Sequence, residues 1–228
     1  MTIDVATLKE QLTTQLGRLP IFPLGGVCLF PNAMLPLYVF EPRYREMTAA
    51  CLERGGGMAV ALLLPGFEDD YEGRPAVAQI AGAGQVVAHR KNPDGTYHIL
   101  LHGLMRIRIE EELPPVRLFR EVRATLLPDL LRTDEGGGAA LVASAQVLRA
   151  LTEQLATTLP KGGDALLALC HDAESPSALC DALAAALVAS PQRRQMLLET
   201  SDVAERIEQV TTELAQLLHQ RAPRGTLH

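Results

Sequence analysis

The stretch from Leu19 to Tyr44, LPIFPLGGVCLFPNAMLPLYVFEPRY, restricts the fold of this protein more than any other. Two short apolar runs, Leu19–Leu24 and Leu35–Phe40, flank a loop that carries Gly25, Gly26, Pro31 and Asn32. Prolines stand at Pro20, Pro23, Pro31, Pro36 and Pro42. Each proline removes a backbone donor and fixes φ, so both runs read as edge strands or extended segments, not central strands. Pro42 has the φ of a first helical position, which starts a helix directly after Glu41. Tyr44, Met47, Cys51 and Leu52 share one face of that helix, and Gly55-Gly56-Gly57 ends it.

The next hundred residues read mainly as strands. Met58–Leu64 is continuously apolar, which suits a strand buried on both faces. Val77–Ala88 carries Gly82 and Gly84, the mark of a bulge or a tightly curved strand. Asn92-Pro93-Asp94-Gly95 is a turn that joins Gln85–Arg90 to Tyr97–Leu101 as a hairpin. Gly103 marks a bulge before Leu104–Glu110, where Met105, Ile107 and Ile109 alternate with Arg106 and Arg108. That alternation predicts one face in the core and one in water. Phe119–Leu126 adds a further strand. Six or seven strands with one intervening helix are enough to close a small barrel.

The composition then changes. Residues 1–127 read as a β-rich domain, 128–138 as a polar linker ending in glycines, and 139–228 as a helical subdomain rich in alanine and leucine. Ser175-Pro176 and Ser190-Pro191 each place a capping serine before a proline at the first helical position. The last helix carries Val203, Ile207, Val210, Leu214 and Leu217, a seam too short for a coiled coil and suited to packing within its own bundle. The expected class is therefore α+β, a β barrel followed by a helical bundle.

Little in the sequence points to chemistry. The net charge is −6, and Lys9, Lys91 and Lys161 are the only lysines, which weighs against a nucleic-acid binder. Cys28, Cys51, Cys170 and Cys180 form no C-x-x-C pair and read as buried thiols. No serine stands in G-x-S-x-G, no histidine lies in a zinc motif, and G-x-x-x-x-G-K-[ST] is absent. The acidic loop FEDDYEGRP lacks the spacing of a calcium loop. No apolar run nears the ~20 residues that span a bilayer, and the N-terminus has no signal-peptide pattern. These readings predict a cytoplasmic, non-catalytic protein with no metal and no cofactor.

Two separated motifs carry a resemblance. FPL, the FP pair after Gly25-Gly26 and PL-x-x-FE-x-RY, followed by GQVVAHRKNPDGTYHILLHGLMRIRI at Gly84–Ile109, resemble the N-terminal substrate-binding domain of Lon proteases, in the form of small stand-alone proteins. The resemblance spans roughly Leu19 to Leu127. It implies a PUA-like pseudobarrel followed by helices, with a role in contacting unfolded or extended protein segments. Peptidase and ATPase activity are not expected, because the sequence has neither a P-loop nor a nucleophile motif. On this reading Phe30, Pro31, Met34 and Leu35 in and beside the proline-rich loop are the candidate peptide-binding residues. Phe22, Phe30, Leu35, Leu37 and Phe40 also fit a core role. Glu41, Pro42, Arg43 and Tyr44 form a structural motif, with a Glu41–Arg43 ion pair at the strand-to-helix turn and Tyr44 packed under the sheet. Two other readings stand beside it: RNA or nucleotide binding, by analogy with PUA-like barrels, and a small-molecule pocket for which no constellation speaks.

Overall fold

The computed structural model describes residues 4–131 and 137–221, so residues 132–136 of the expected linker lie outside the described residues. Six strands run in the order β1 (Leu19–Leu24), β2 (Met34–Val39), β3 (Gly57–Leu62), β4 (Ile80–Lys91), β5 (Tyr97–Glu112) and β6 (Arg120–Leu127). The helices are α1 (Val5–Gln15), α2 (Pro42–Glu53), α3 (Gly137–Thr158), α4 (Gly163–Asp172), α5 (Pro176–Leu187), α6 (Pro191–Glu199) and α7 (Val203–Arg221). No helix of the described residues is long and apolar enough to cross a membrane. The fold is α+β, a strand-built part followed by a helical part. It divides into two compact units. One holds the residues up to Pro128 together with Ser190–Glu199, and the other holds the remaining helices.

In the first unit the strand order is β2-β5-β4-β3-β1-β6, with β5 pairing again to β6. Five strands thus close on themselves, and β2 hangs outside the ring. β5 makes this possible by its length. Its residues Tyr97–His102 pair with β2, Arg106–Glu112 pair with β6, and β4 follows the opposite edge from Tyr97 to Arg108. A register shift near Gly103 and Gly84 lets the long strand bend between its two partners.

The expectation that β1 is an edge strand is wrong. β1 lies between β3, to which it runs parallel, and β6, to which it runs antiparallel. Its prolines are tolerated because each has a neighbour on one side only. Pairing with β6 stops at Ile21, before Pro23, and pairing with β3 starts at Ile21, after Pro20. The missing donors therefore interrupt no ladder. β2, with Pro36 at its centre, is the genuine edge.

Alternation along β1, β3, β4 and β5 separates two apolar cores. One gathers Leu19, Ile21, Ala59, Ala61, Ala81 and Ala83 against Leu12 and Leu16 at the end of α1. The other gathers Phe22, Met58, Val60, Ile99 and Leu101 against Tyr44, Met47 and Cys51 of α2. The loop between β1 and β2 belongs to the second core. Leu29 is 1% exposed and Phe30 is fully buried. Their carbonyls press on Gly82 and Gly103, where a Cβ would collide with the oxygen atoms of Leu29 and Phe30 respectively.

Helix α6 holds the same loop from outside the barrel. Arg194 donates to the Gly26 carbonyl (3.0 Å), and Gln195 donates to Ile80 O (2.8 Å). α6 also accounts for a second difference. Arg106, expected in water, is 3% exposed and donates from Nε to Leu198 O at 3.0 Å. The face of β5 that alternation assigns to solvent is covered here by a helix from late in the sequence.

The second unit is built around Arg206 of α7, which is completely buried. Its guanidinium lies 3.1 Å from Asp181 and 2.9 Å from Asp129, and it also donates to Thr200 O (2.6 Å) and to Ser177 Oγ (2.8 Å). A buried charge of this kind persists only when ion-paired and hydrogen-bonded. Around it Val203, Ile207, Val210 and Leu214 of α7 pack inward, as their spacing predicts. Ser175 and Ser190 cap α5 and α6, accepting from Ala178 N (3.1 Å) and Arg193 N (3.3 Å).

Three outcomes follow for the first unit. Gly82→Ala forces β4 and the Leu29 carbonyl apart and lowers the unfolding free energy by about 3 kcal/mol, measured by urea denaturation. Gly17→Ala, with nothing within 4 Å of the added carbon, changes it by less than about 0.5 kcal/mol. His102, 7% exposed on β5, supplies the pH outcome. Burial, helped by the charge of Lys9, holds its imidazole below the usual value of 6.5. The unfolded state then binds more protons below that value, so His102 costs no stability above it and destabilises the fold as pH falls from 6.5 toward the lower folded-state value. Thermal unfolding midpoints of wild type decline more between pH 7 and pH 5 than those of His102→Gln.

Candidate functional site

β2 has two chemically different faces because its side chains alternate. Leu35, Leu37 and Val39 lie opposite Leu101, Ile99 and Tyr97 of β5 and pack on the core under α2. Met34, Pro36 and Tyr38 point the other way, opposite His102, Leu100 and His98. The outward face stays open. Met34 is 49% exposed, Tyr38 50%, and Phe40, just past the strand, 60%. Tyr38 stacks on Phe40 with ring centroids 5.9 Å apart and meets the His98 ring at 4.9 Å. The free edge of β2 adjoins this apolar face, since β5 is its sole strand partner among the described residues.

The candidate residues therefore separate. Phe30 and Pro31 are buried and offer no surface to a ligand. Leu35 is half-buried and turned to the core, and Met34 alone of the four is exposed. Phe22 is core, as read from the sequence, whereas Phe40 is not. Pro36, Tyr38 and Phe40 are surface residues that are not among the candidates read from the sequence. The period-two pattern of Met34, Pro36 and Tyr38 against Leu35, Leu37 and Val39 carries that signal. The thiol in the loop region, Cys28, is pushed up to about 11 by burial and is no nucleophile at neutral pH.

Directly after Phe40 the backbone turns into α2. Glu41 and Arg43 are ion-paired at 2.9 Å, and Arg43 Nε donates to Glu41 Oε2 at 3.1 Å. Tyr71, from the acidic loop, donates its hydroxyl to Glu41 Oε1 (2.7 Å), while Arg43 Nη1 donates to Tyr71 O (3.2 Å). The Arg43 guanidinium lies over both the Tyr44 and the Tyr71 rings, at 4.8 and 4.9 Å. Tyr44 is 5% exposed, packs on Phe22 at 4.3 Å, and has its phenol pushed up to about 12 chiefly by burial. Tyr71 is not legible as part of this network, because its loop reads as solvated. All four cysteines are free and buried. Among the described residues no group of three or more His, Cys, Asp or Glu gathers as a metal site requires. The geometry is that of an aromatic and apolar strand face, an open strand edge and an ion-paired turn at its end.

Comparison with known proteins agrees with this architecture. The family model of the ATP-dependent protease La (LON) substrate-binding domain matches residues 18–216. The chain is similar to the Lon protease of Paraburkholderia phytofirmans, 29% identical over 204 residues, covering 86% of this chain and 24% of that protein. It is also similar to the Lon protease of Roseiflexus castenholzii, 32% identical over 198 residues, covering 84% of this chain and 23% of that protein. It thus spans about a quarter of the length of these relatives. Among solved structures, the N-terminal domain of Mycobacterium avium complex Lon protease superimposes with a TM-score of 0.64 at 18% identity, covering 87% of this chain and 98% of that one. A Lon N-terminal domain protein from Xanthomonas campestris gives 0.57 at 22% identity, covering 86% and 97%. Those two likenesses speak for the fold alone, and the matched length of the family model settles the rest: the chain belongs to the Lon substrate-binding domain family.

Proposed function

We propose that this protein is a non-catalytic, cytoplasmic protein-binding module that receives extended apolar segments of unfolded proteins on the outward face of β2. The observation that carries the proposal is the exposed stripe of Met34, Tyr38 and Phe40 on an edge strand. Exposed aromatics on a rigid element supply contact area at little entropic cost, and a free edge supplies backbone donors and acceptors to an extended segment. Pro36 fits this role: it withholds one donor, which discourages edge pairing between copies while leaving room for a less regular partner. Membership of a substrate-binding family supports protein segments as the ligand class. No specific observation favours RNA, and the net charge of −6 works against phosphate neutralisation.

The reading is tested with reduced, carboxymethylated α-lactalbumin, a permanently unfolded protein, as labelled ligand in fluorescence anisotropy. The double substitution Tyr38→Ser, Phe40→Ser weakens its binding by about tenfold or more, as loss of aromatic anchors does, with the thermal midpoint held. Equal binding by wild type and double variant would refute the assignment of this face.

A further inference from the structure

A pocket of about 500 Å³ opens where β2 gives way to α2. Its walls are the first turn of α2, the turn at Glu72–Arg74 and the loop Pro115–Arg120 that leads into β6. Four guanidinium groups, from Arg43, Arg74, Arg117 and Arg120, line it beside the carboxylates of Glu41 and Glu72.

Most of this charge is already committed. Glu112 holds Arg120 through two bonds, 2.7 Å from Nε and 2.8 Å from Nη2, and also pairs with Arg74 at 3.1 Å. Glu41 is held by Arg43 and Tyr71. Arg117 differs. Its guanidinium rests 5.5 Å from the centre of the Phe119 ring, and it has no carboxylate partner among the described residues. The positive end of α2, twelve residues long with Pro42 at its start and no side-chain cap from Glu41, adds to the same sign of potential. Asp70, whose carboxylate lies against Gly73 in the wall, brings the acidic groups here to four with Glu112, so the pocket carries no net surplus. What fits one carboxylate is Arg117, whose guanidinium no carboxylate meets among the described residues. A phosphate dianion would meet Glu72 in the wall with too few arginines to offset it.

The rim adds an apolar contact. Leu118, in the wall, is 67% exposed, and Val116 beside it is 79% exposed. A carboxylate entering the pocket would therefore bring an apolar neighbour to Leu118. β2 ends at Val39 and the pocket begins at Glu41, so a segment laid along β2 runs toward it.

We propose that this pocket takes a peptide carboxylate, from an acidic side chain or from a free C-terminus flanked by an apolar residue, with Arg117 and Arg74 as its ligands. The inference rests on the protein-binding reading for the origin of the carboxylate, though the pocket is lined by residues other than those of the β2 face. Under it the module prefers extended segments that are apolar and carry an acid at one end, which is a selectivity that an apolar face alone lacks.

The test uses the whole 228-residue chain and an N-terminally labelled peptide, Gly-Ser-Gly-Ser-Leu-Phe-Asp, in four forms: Asp or Asn at the last residue, each with a free or an amidated C-terminus. Anisotropy titrations give the expected result if the forms with a carboxylate bind about tenfold tighter than the neutral Asn amide. That advantage shrinks as salt is added. Comparing the Asp amide with the Asn free acid tells which carboxylate source is used. Arg117→Ala and Arg74→Ala, both at exposed positions that leave the Arg120–Glu112 pair in place, remove the advantage and leave neutral-peptide binding unchanged. Equal binding of all four forms to wild type overturns the pocket and leaves the β2 reading standing. An advantage that survives both arginine variants overturns it as well. Displacement of the acidic peptide by inorganic phosphate but not by acetate also overturns it, in favour of a phosphate site. An advantage that persists in Tyr38→Ser, Phe40→Ser while all four forms bind more weakly supports the pocket and the β2 face together, and one that persists with no weakening supports the pocket and removes the β2 face.

Discussion

The close approach of the Leu29 and Phe30 carbonyls to Gly82 and Gly103 is the contact on which the rest of the first unit depends. It seats the β1–β2 loop against the barrel, buries Leu29 and Phe30, and so sets where β2 leaves the loop. A Cβ at either glycine would lift the loop from the barrel. α6 then closes over the outside through Arg194 and Gln195, and it also takes in Arg106. Once the loop is fixed, β2 must join the first half of β5, outside the closed ring of five strands.

That position accounts for the surface. A strand inside the ring would have both edges paired. Among the described residues β2 has one strand neighbour, an inward face of Leu35, Leu37 and Val39, and an outward face on which Met34 and Tyr38 stay exposed. The ion pair of Glu41 and Arg43, braced by Tyr71, stiffens the turn where this face ends, so Phe40 stays displayed beside Tyr38. Preorganised aromatic surface of this kind binds with little entropy lost to its own ordering. Nearby, Arg117 lines the pocket beside the start of α2 with its guanidinium over the Phe119 ring and no carboxylate partner among the described residues.

Local signals in the sequence are enough for the strand-to-helix turn at Pro42, the Asn92–Gly95 hairpin, the bulge near Gly103, the buried strand β3 and the serine caps of α5 and α6. Each rests on backbone chemistry within a few residues. The failures share a different cause. Proline counts what a strand lacks, not which neighbours it has, so β1 reads as an edge although staggered pairing gives each proline a free side. Phe30 reads both as core and as a binding candidate, and the choice between them is not legible because the glycines that receive its loop lie on β4 and β5, and the helix that holds the loop binds it across 168 residues of sequence. Arg106 reads as solvated for the same reason. Tyr71 joins Glu41 from a loop whose acidic composition gives no hint of a structural bond. Of the four candidate residues only Met34 is exposed, and the exposure of its neighbours Tyr38 and Phe40 is hidden when the whole apolar run is read as core.

An amide-resolved NMR titration with reduced, carboxymethylated α-lactalbumin distinguishes contact on the exposed face of β2 from contact on the proline-rich loop before it. Binding on β2 perturbs the amides of Leu37–Phe40 and His98–Leu100 and leaves Val27–Phe30 unchanged. Perturbations centred on Val27–Phe30, with β2 silent, would overturn the assignment of this face.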